Sequence, residues 1–334
     1  MFITDQSLAP FHTFGLQVKA AFFVNLQHEE QIDSILALRH RPRLILGSGS
    51  NVLFTKNFAG LIIRNAIMGI RVLENNQDYV IVEAGGGEVW HDLVLWSLEH
   101  NLGGLENLSL IPGTVGAAPI QNIGAYGVEF DSVFHQLEAI ELASGHSRVF
   151  TKDQCGFAYR TSIFKRELKN RFLITKVQLK LNKGVHKLAL DYGEIKNTLL
   201  ERGIANPNIR DISDCVIAIR TRKLPDPSKI GNAGSFFKNP IISESSYLAL
   251  LADYPDMPSY LVENGRKIPA AWLIEHAGWK GYRKGDAGVY DNHALVLVNH
   301  GHATGQEMYQ LAEAISDSIQ QIFQIELEPE VNFI

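Results

Sequence analysis

The stretch from Gly103 to Gly127 constrains the fold of this 334-residue chain more than any other feature of its sequence. It is dense in glycine, it contains Pro112 and Pro119, and it reads as a long loop. Loops of this length inside a compact domain are uncommon and are usually functional. After its isoleucine, the segment 111–119 has no side chain larger than valine, so the backbone can approach a flat or phosphorylated ligand closely.

A second turn of small residues, Gly47-Ser-Gly-Ser-Asn51, follows the short apolar strand 44–46. A Rossmann dinucleotide fingerprint would need a third glycine where Val52 stands and a helix directly afterwards, and neither is present. The turn instead offers backbone N–H groups and hydroxyls that suit an anion. Two such loops are able to clamp a pyrophosphate from both sides. On these residues alone, an equally good interpretation is a pair of plain connecting turns.

Composition excludes several classes of protein. With 46% hydrophobic and 20% charged residues, the chain can bury a core, and its net charge of −5 argues against gripping nucleic acid through phosphates. No apolar run approaches the roughly 18 residues of a membrane span, and the N-terminus does not resemble a secretory signal. Cys155 and Cys215 form no metal or disulfide motif, and His300-Gly-His302 lacks a third ligand nearby, so we expect no metal site. We therefore expect a soluble, cytoplasmic protein.

Apolar periodicity predicts alternating helices and strands. Strands are predicted at 44–46, 61–63, 79–83, 173–181 (half-exposed and antiparallel) and 293–299. Helices are predicted at 31–38, around 89–96, and at 246–253 and 269–276. A final helix begins at a capping box, Thr304 to Glu307, and carries an apolar stripe of Met308, Leu311, Ala312, Ile315, Ile319 and Ile322. The charged segment 221–228, with two prolines, is the best candidate for a domain boundary.

Eight segments together make the sequence similar to a known family. In chain order they are Gly47-Ser-Gly-Ser-Asn51, Gly104-Leu-Glu-Asn-Leu-Ser-Leu-Ile-Pro-Gly113, Gln121-Asn-Ile-Gly-Ala-Tyr-Gly127, Phe157-Ala-Tyr-Arg-Thr-Ser-Ile-Phe-Lys165, Asp191-Tyr-Gly193, Arg220-Thr-Arg-Lys-Leu-Pro-Asp-Pro227, Gly231-Asn-Ala-Gly-Ser-Phe-Phe-Lys-Asn-Pro240 and Leu327-Glu-Pro-Glu-Val331. Each segment alone is weakly specific, but the set spans nearly the whole chain in one order. The chain resembles the UDP-N-acetylenolpyruvoylglucosamine reductases, in the form typified by the enterobacterial enzymes. These are flavoproteins of peptidoglycan precursor synthesis, and hence of cell-wall formation, cell shape and cell division.

The resemblance implies an α+β, three-domain flavoenzyme with an FAD-binding fold of the vanillyl-alcohol-oxidase (PCMH) type and a substrate-binding α+β domain. Placed on this sequence, FAD-binding subdomain 1 comprises residues 1–70 together with 325–334. FAD-binding subdomain 2 comprises residues 71–222, and the substrate-binding domain comprises residues 223–324. FAD is expected to bind non-covalently. NADPH would reduce it and leave before the sugar nucleotide enters the same pocket.

The same resemblance assigns residues to the cofactor. Those matching the family's FAD-binding positions are Gly47, Gly49, Ser50, Asn51, Val52, Pro112, Gly113, Gly116, Ile120, Gly124 and Tyr126. The chain has Ala117 and Ala118 where some relatives carry hydroxyl side chains. Any pyrophosphate contact there must therefore come from backbone N–H groups.

The chemistry of an enolpyruvyl ether defines what the side chains must do. Hydride addition at C3 leaves carbanion character at C2, so the protein must hold the carboxylate, stabilise the enolate and deliver a proton to C2. The resemblance assigns carboxylate binding to Arg160, proton donation to Ser235, and assistance of that acid chemistry to Glu330. A guanidinium suits a carboxylate because it binds both oxygens at once. Without the resemblance, these three residues would be read as an ion pair, a turn serine and a solvated charge.

Four further residues match family positions for the substrate. Tyr192, Lys223 and Asn239 match positions near the UDP diphosphate, and Tyr260 matches a tyrosine on a mobile loop that folds over the bound substrate. Two alternatives remain open: a flavin oxidase on the same fold, and a non-catalytic protein that binds a nucleotide sugar or flavin. We expect a small-molecule substrate, no nucleic acid, no membrane insertion and a monomer.

Overall fold

The computed structural model describes residues 2–37 and 42–334. Its helices are α1 (Ile32–Leu36), α2 (Trp90–Glu99), α3 (Lys152–Cys155), α4 (Gly193–Glu201), α5 (Ile209–Lys223), α6 (Glu244–Asp253), α7 (Ala270–His276) and α8 (Gly305–Phe323). The predicted helix 31–38 is therefore present as α1, and Leu38 lies outside the described residues. Helices α3, α4 and α5 are absent from the sequence-based prediction.

The strands are short, and they are numbered here in chain order. They are β1 (Ile3–Ser7), β2 (Lys19–Leu26), β3 (Arg43–Leu46), β4 (Val52–Leu53), β5 (Phe58–Asn65), β6 (Ile70–Asn75), β7 (Tyr79–Gly85), β8 (Gly124–Ala125), β9 (Val128–Glu129), β10 (Phe134–Glu141), β11 (Ser147–Thr151), β12 (Phe172–Asn182), β13 (Gly231–Ser235), β14 (Ile241–Ile242), β15 (Tyr260–Val262), β16 (Gly265–Lys267), β17 (Arg283–Lys284), β18 (Ala287–Val289), β19 (Val296–Asn299) and β20 (Asn332–Phe333). The mixture of helices and strands confirms the predicted α+β class.

The chain divides into two compact units. The first contains Met1–Gln6, Ala20–Ser48 and Ala59–Arg222, and the second contains Ser7–Lys19, Gly49–Phe58 and Lys223–Ile334. The division into three domains at residues 70, 222 and 324 remains a prediction.

The first unit is built on two sheets. One is antiparallel with strand order β11-β10-β12-β7-β6, and Lys176 of β12 lies opposite Gly85 at the end of β7. Along the second half of β12, buried Val177 and Leu179 alternate with more exposed Gln178 and Lys180, as predicted for a half-exposed strand. The other sheet has the order β1-β2-β5-β3, and β3 runs parallel to β5. Strand β3 ends at Leu46, so the first glycine turn begins at the end of a strand.

The second unit is built on the sheet β13-β19-β18-β17, with smaller sheets β14-β16-β15 and β20-β4. Helix α8 is its longest helix, and Thr304 forms the predicted capping box with Glu307. The predicted apolar stripe is buried from Met308 to Ile319. Ile322 is an exception: it is 44% exposed because Phe323 takes the inward position in the last turn.

The glycine-rich stretch 103–127 is more ordered than the predicted loop. It contains 3₁₀ helices at Glu106–Leu108 and Val115–Ile120 and ends in the small β8-β9 hairpin. Leu108 and Val115 are fully buried in the main core cluster of the first unit. This stretch of small residues therefore folds as part of the core, and only some of its residues are exposed.

Candidate active site

Gly86 and Gly116 come from separate segments and pack backbone against backbone in the first unit, where they form what we call the cradle. The Gly116 N–H donates to the Gly86 carbonyl at 2.9 Å, and the Gly86 N–H donates to the Thr175 carbonyl at 2.7 Å. A Cβ added to Gly116 would lie 2.9 Å from the Gly86 oxygen. Only glycine fits this approach, so the triple glycine 85–87, which sequence reasoning took as a strand end, belongs to the same site.

The first glycine turn joins this cradle. A Cβ on Gly47 would lie 2.5 Å from the Thr114 Oγ1, so the two predicted loops are neighbours within the first unit. Next to them, the buried Ser48 Oγ has no hydrogen-bond partner in the described part of the chain. A buried hydroxyl without a partner is costly, and an oxygen-rich ligand such as a pyrophosphate would satisfy it. The cradle therefore fits the pyrophosphate of FAD, and Thr114 is a lining residue that sequence reasoning missed.

The other residues of the first turn hold the C-terminal segment of the second unit. Gly49 has φ +65°, and its carbonyl accepts from the Thr13 N–H at 3.2 Å. The Asn51 side-chain amide donates to the Glu330 carbonyl at 3.2 Å, and Val52 pairs with Asn332 in a parallel ladder. Ser50 lies half-buried between Gly49 and Asn51. Gly49, Asn51 and Val52 therefore stabilise the fold of the second unit, in addition to the cofactor role predicted for them.

Pro112 and Gly113 precede the 3₁₀ helix 115–120 in the first unit. Gly113 has φ +129°, and its carbonyl accepts from the Trp90 N–H at 3.1 Å at the start of α2. Pro112 is exposed. The left-handed backbone at Gly113 thus fixes the loop to the start of α2, and Pro112 stays exposed at the surface.

A turn carrying Arg160 packs against the end of the glycine-rich stretch. Ala158 and Thr161 exchange two backbone hydrogen bonds of 3.1 Å, which places Arg160 within a two-residue turn. The Arg160 guanidinium donates to the Gly124 carbonyl at 2.7 Å, and the Ser162 hydroxyl donates to the Ile120 carbonyl at 2.7 Å. The structure therefore brings three predicted residues, Ile120, Gly124 and Arg160, to one place.

The backbone of Arg160 is strained. Its φ is +53°, in the left-handed region that arginine rarely adopts. Non-glycine residues held in this region cost free energy of order 1–3 kcal/mol each and cluster at functional sites. The turn thus aims this particular side chain at the expense of stability.

Arg220 gives the neighbourhood of Arg160 a second positive charge. Its Nε donates to the Leu110 carbonyl at 3.2 Å, and its guanidinium bonds the Tyr126 hydroxyl. Burial lowers the pKa of Arg220, the charge of Arg160 lowers it further, and Tyr126 opposes both effects. Burial also raises the pKa of Tyr126, so the phenol stays protonated. Two guanidiniums that repel each other make a place where a bound carboxylate is favourable.

Tyr192 lies beside this group. It precedes α4, and its ring meets that of Tyr126 edge to face, with centroids 5.2 Å apart. The residue is 42% exposed, so a ligand can reach it. The structure thus places a predicted substrate residue in contact with a predicted cofactor residue.

Ser235 and Glu330 come together in the second unit. Ser235 ends β13 and is exposed, and the Phe236 carbonyl next to it accepts from the Glu330 N–H at 2.8 Å. Phe237 and Pro329 form the adjacent bridge. The two residues predicted for acid chemistry therefore lie on neighbouring extended segments, although 95 positions separate them in the sequence.

Lys223, Asn239 and Tyr260 lie on three different parts of the second unit. Lys223 is the last residue of α5, and Tyr260 begins β15 with 56% of its surface exposed. The Asn239 Oδ1 accepts from the Ala270 N–H at 2.9 Å at the start of α7. Their predicted roles toward the substrate remain predictions.

The described residues, 2–37 and 42–334, contain neither a metal-binding cluster nor a membrane-spanning helix. No group of three or more His, Cys, Asp or Glu side chains is arranged to hold a metal ion. In the same residues, no helix is long and apolar enough to cross a membrane.

Comparisons with known families agree with this geometry. A family model described as an FAD-binding domain matches residues 20–151, which include the cradle. A second model, described as the C-terminal domain of UDP-N-acetylenolpyruvoylglucosamine reductase, matches residues 226–334, which include Ser235 and Glu330. The fold and the cradle together define an FAD-dependent oxidoreductase, and the predicted flavin fold is confirmed.

Curated relatives carry the identification further. UDP-N-acetylenolpyruvoylglucosamine reductase from Flavobacterium johnsoniae is 46% identical over 98% of both chains. The enzyme of the same name from Pseudomonas aeruginosa is 48% identical over 98% of this chain and 97% of its own. A crystal structure of the Thermus caldophilus reductase superposes with a TM-score of 0.68, covering 100% of this chain and 98% of that one, and at 22% identity it supports the fold alone. The chain belongs to the UDP-N-acetylenolpyruvoylglucosamine reductase family.

Proposed function

We propose that this chain reduces the enolpyruvyl group of UDP-N-acetylenolpyruvoylglucosamine to give UDP-N-acetylmuramate, with NADPH as reductant, in peptidoglycan precursor synthesis. The observation that carries the proposal is 46–48% identity over 98% of the chain to curated reductases of that name. A cytoplasmic location follows from the nature of a UDP-sugar and NADPH as substrates. A monomeric state remains a prediction.

The cofactor site is the cradle in the first unit. Gly47, Gly86 and Gly116 have no side chains, so the backbone around them can approach the ligand closely, and the Ser48 hydroxyl offers a hydrogen bond to a phosphate oxygen. The redox chemistry, hydride transfer from NADPH and then to C3 of the enolpyruvyl group, is supplied by bound FAD. The protein contributes binding, orientation and electrostatics.

Arg160 holds the substrate carboxylate. Its guanidinium is fixed by the Gly124 carbonyl, and the nearby charge of Arg220 raises the affinity of the same place for an anion. As hydride arrives at C3, negative charge spreads into the carboxylate. A fixed guanidinium therefore stabilises the transition state more than it stabilises the ground state. Arg160 therefore contributes to the rate as well as to binding.

Ser235 delivers the proton to C2. A serine hydroxyl is a weak acid, so the acidity must come from its surroundings and from the basicity of the developing carbanion. Glu330 lies on the neighbouring segment and is the residue we assign to assist this transfer. Tyr192, Lys223 and Asn239 then bind the UDP diphosphate, and Tyr260 closes over the bound substrate.

Replacement of Ser235 tests the assignment. In Ser235→Ala, we expect NADPH to reduce the flavin at the wild-type rate, because no proton to C2 is needed in that step. Reoxidation by the enolpyruvyl substrate is expected to slow by about a hundredfold or more, the usual contribution of a general acid. Anaerobic stopped-flow absorbance of the flavin measures both steps separately.

Ser144→Ala is the matched control, because Ser144 is an exposed serine of the first unit whose hydroxyl only donates to the surface carboxylate of Glu141 and accepts from the His146 N–H, among the contacts described. Both steps should be unchanged in this variant. An unchanged reoxidation rate in Ser235→Ala would remove Ser235 from the reaction and leave the flavoprotein assignment intact.

A further inference from the structure

The segment that carries Ser235 contains a β-bulge. Strand β13 pairs with β19 through Asn232 opposite Val298 and Ser235 opposite Val296. Between these pairs, β13 advances by three residues and β19 by two, so β13 holds one extra residue. Gly234 absorbs the extra length with φ +68°. Bulges of this kind redirect the side chain that follows them, and here that side chain is Ser235.

A single buried side chain holds both ends of the bulge. Asn232 is 2% exposed, and its Oδ1 accepts from the Gly234 N–H at 2.9 Å. Its amide donates to the Ile230 carbonyl at 2.9 Å and to the Pro225 carbonyl at 3.3 Å. The Asn232 side chain thus connects the residue before the strand to the glycine directly before Ser235.

Packing does little to hold Gly234. A Cβ built on Gly234 would have no neighbour within 4 Å in the described part of the chain. The conformation of a glycine with open space beside it is set mainly by its hydrogen bonds, since glycine itself populates many backbone conformations. The Asn232 amide therefore constrains the glycine directly before Ser235, while the ladder pairing with Val296 holds Ser235 from the other side.

We propose that Asn232 is a positioning residue for proton delivery, acting through the bulge and without touching the substrate. This inference rests on the proposed role of Ser235. A proton donor displaced by about 1 Å can lose on the order of a hundredfold in rate. Loss of the Asn232 amide should therefore slow the protonation of C2 and spare the reduction of the flavin by NADPH.

Asn299 provides a matched control on the paired strand. It is also a buried asparagine, 5% exposed, and its side chain makes three hydrogen bonds: from the Gly301 and Ala303 N–H groups and to the Phe14 carbonyl. Its partner in the ladder is Gly231, so it does not contact the bulge. Asn299→Ala thus removes the same chemical group from the same sheet without releasing Gly234.

The experiment compares Asn232→Ala, Asn232→Asp, Asn299→Ala and Ser235→Ala by anaerobic stopped-flow and by amide hydrogen exchange. Asn232→Asp keeps the acceptor for the Gly234 N–H but turns an oxygen toward the Ile230 and Pro225 carbonyls, so it separates the Gly234 contact from the two donor bonds. Amide exchange across β13 checks that both variants are folded. We expect reoxidation by the substrate to slow about 10- to 100-fold in Asn232→Ala and less in Asn232→Asp. The Gly234 amide should exchange faster in Asn232→Ala, while reduction by NADPH keeps its wild-type rate.

Two results would overturn the inference while leaving the proposed function standing. One is normal reoxidation in both Asn232 variants when Ser235→Ala is slow. The other is an equal slowing in Asn299→Ala, which would show a general effect of stability. Normal reoxidation in Ser235→Ala is a different failure, because it removes the role of Ser235 itself. In the double variant Asn232→Ala/Ser235→Ala, we expect no further loss beyond Ser235→Ala, since both changes act on one proton transfer.

Discussion

His12 shows how burial alone sets the behaviour of a side chain in the second unit. It is 5% exposed, its Nε2 lies 3.2 Å from the Leu16 carbonyl, and its ring meets that of Phe54 edge to face at 5.3 Å. Burial lowers the pKa of His12 from its ordinary 6.5, and the hydrogen bond to Leu16 opposes this only in part. The imidazole is therefore neutral in the folded chain at pH values where the unfolded chain protonates it.

This pKa shift predicts a dependence of stability on pH. Below about pH 6.5, unfolding takes up a proton at His12, so the free energy of unfolding falls as the pH drops and levels off below the lowered pKa of the folded state. Above that range the contribution is fully present. Urea unfolding of the wild type and of His12→Gln between about pH 5 and pH 8 measures it. A variant that kept the wild-type slope would show that other groups carry the effect.

At the same scale, the type of a residue was easier to predict than its surroundings. The motif around Arg160 predicted an arginine suited to a carboxylate, and the structure adds its left-handed backbone and its contact with Gly124. Arg220 lies in one of the segments that carry the resemblance, but its proximity to Arg160, 60 positions away in the sequence, is visible only in the structure. Sequence spacing carries no information about such a pair.

Among the helices, α5 could have been predicted and was not. Its buried residues, Ile209, Ile212, Ser213, Cys215, Val216 and Ile219, follow the helical period. The charged segment 221–228 is predicted to be a domain boundary, and α5 extends into it as far as Lys223. The sequence signal for this helix was sufficient, and with it Arg220 would have been placed on a buried helical face.

The bulge in β13 is an element that the sequence could not predict. The segment Gly231-Asn-Ala-Gly-Ser235 has no alternation of apolar and polar residues, so it gives no strand signal. The bulge is defined only by its register against β19, more than 60 residues away. The resemblance identified Ser235, but the bulge that orients its side chain could be recognised only in the structure.

The cradle gives a prediction at the scale of the element. In Gly116→Ala, the new Cβ would lie 2.9 Å from the Gly86 oxygen and 3.0 Å from the Ile174 oxygen, and neither backbone atom can move away easily. We expect the 3₁₀ helix 115–120 to shift and the purified protein to retain much less FAD. The ratio of flavin to protein absorbance measures this occupancy.

Gly193→Ala is the control for this prediction, because a Cβ on Gly193 would meet nothing within 4 Å. It should retain as much FAD as the wild type. Full occupancy in Gly116→Ala would contradict the placement of FAD in the cradle, whatever the activity of the variant.

For the whole molecule, the resemblance predicted the class of enzyme more fully than composition or periodicity did. Composition and periodicity indicated a folded chain of alternating helices and strands, with two glycine loops whose function stayed open. The flavin fold by itself does not separate a reductase from an oxidase on the same fold. The match of residues 226–334 to the reductase C-terminal domain makes that distinction, together with the 46–48% identity to curated reductases over 98% of the chain.

The most direct test of the central claim is the absorbance spectrum of the purified protein, followed without oxygen. We expect flavin bands that NADPH bleaches and that the UDP-enolpyruvyl sugar then restores. Bands that NADPH bleaches but the sugar leaves bleached would keep the flavoprotein and contradict the assigned substrate. A protein that shows no flavin bands, even after incubation with FAD, would contradict the account from the glycine cradle onward.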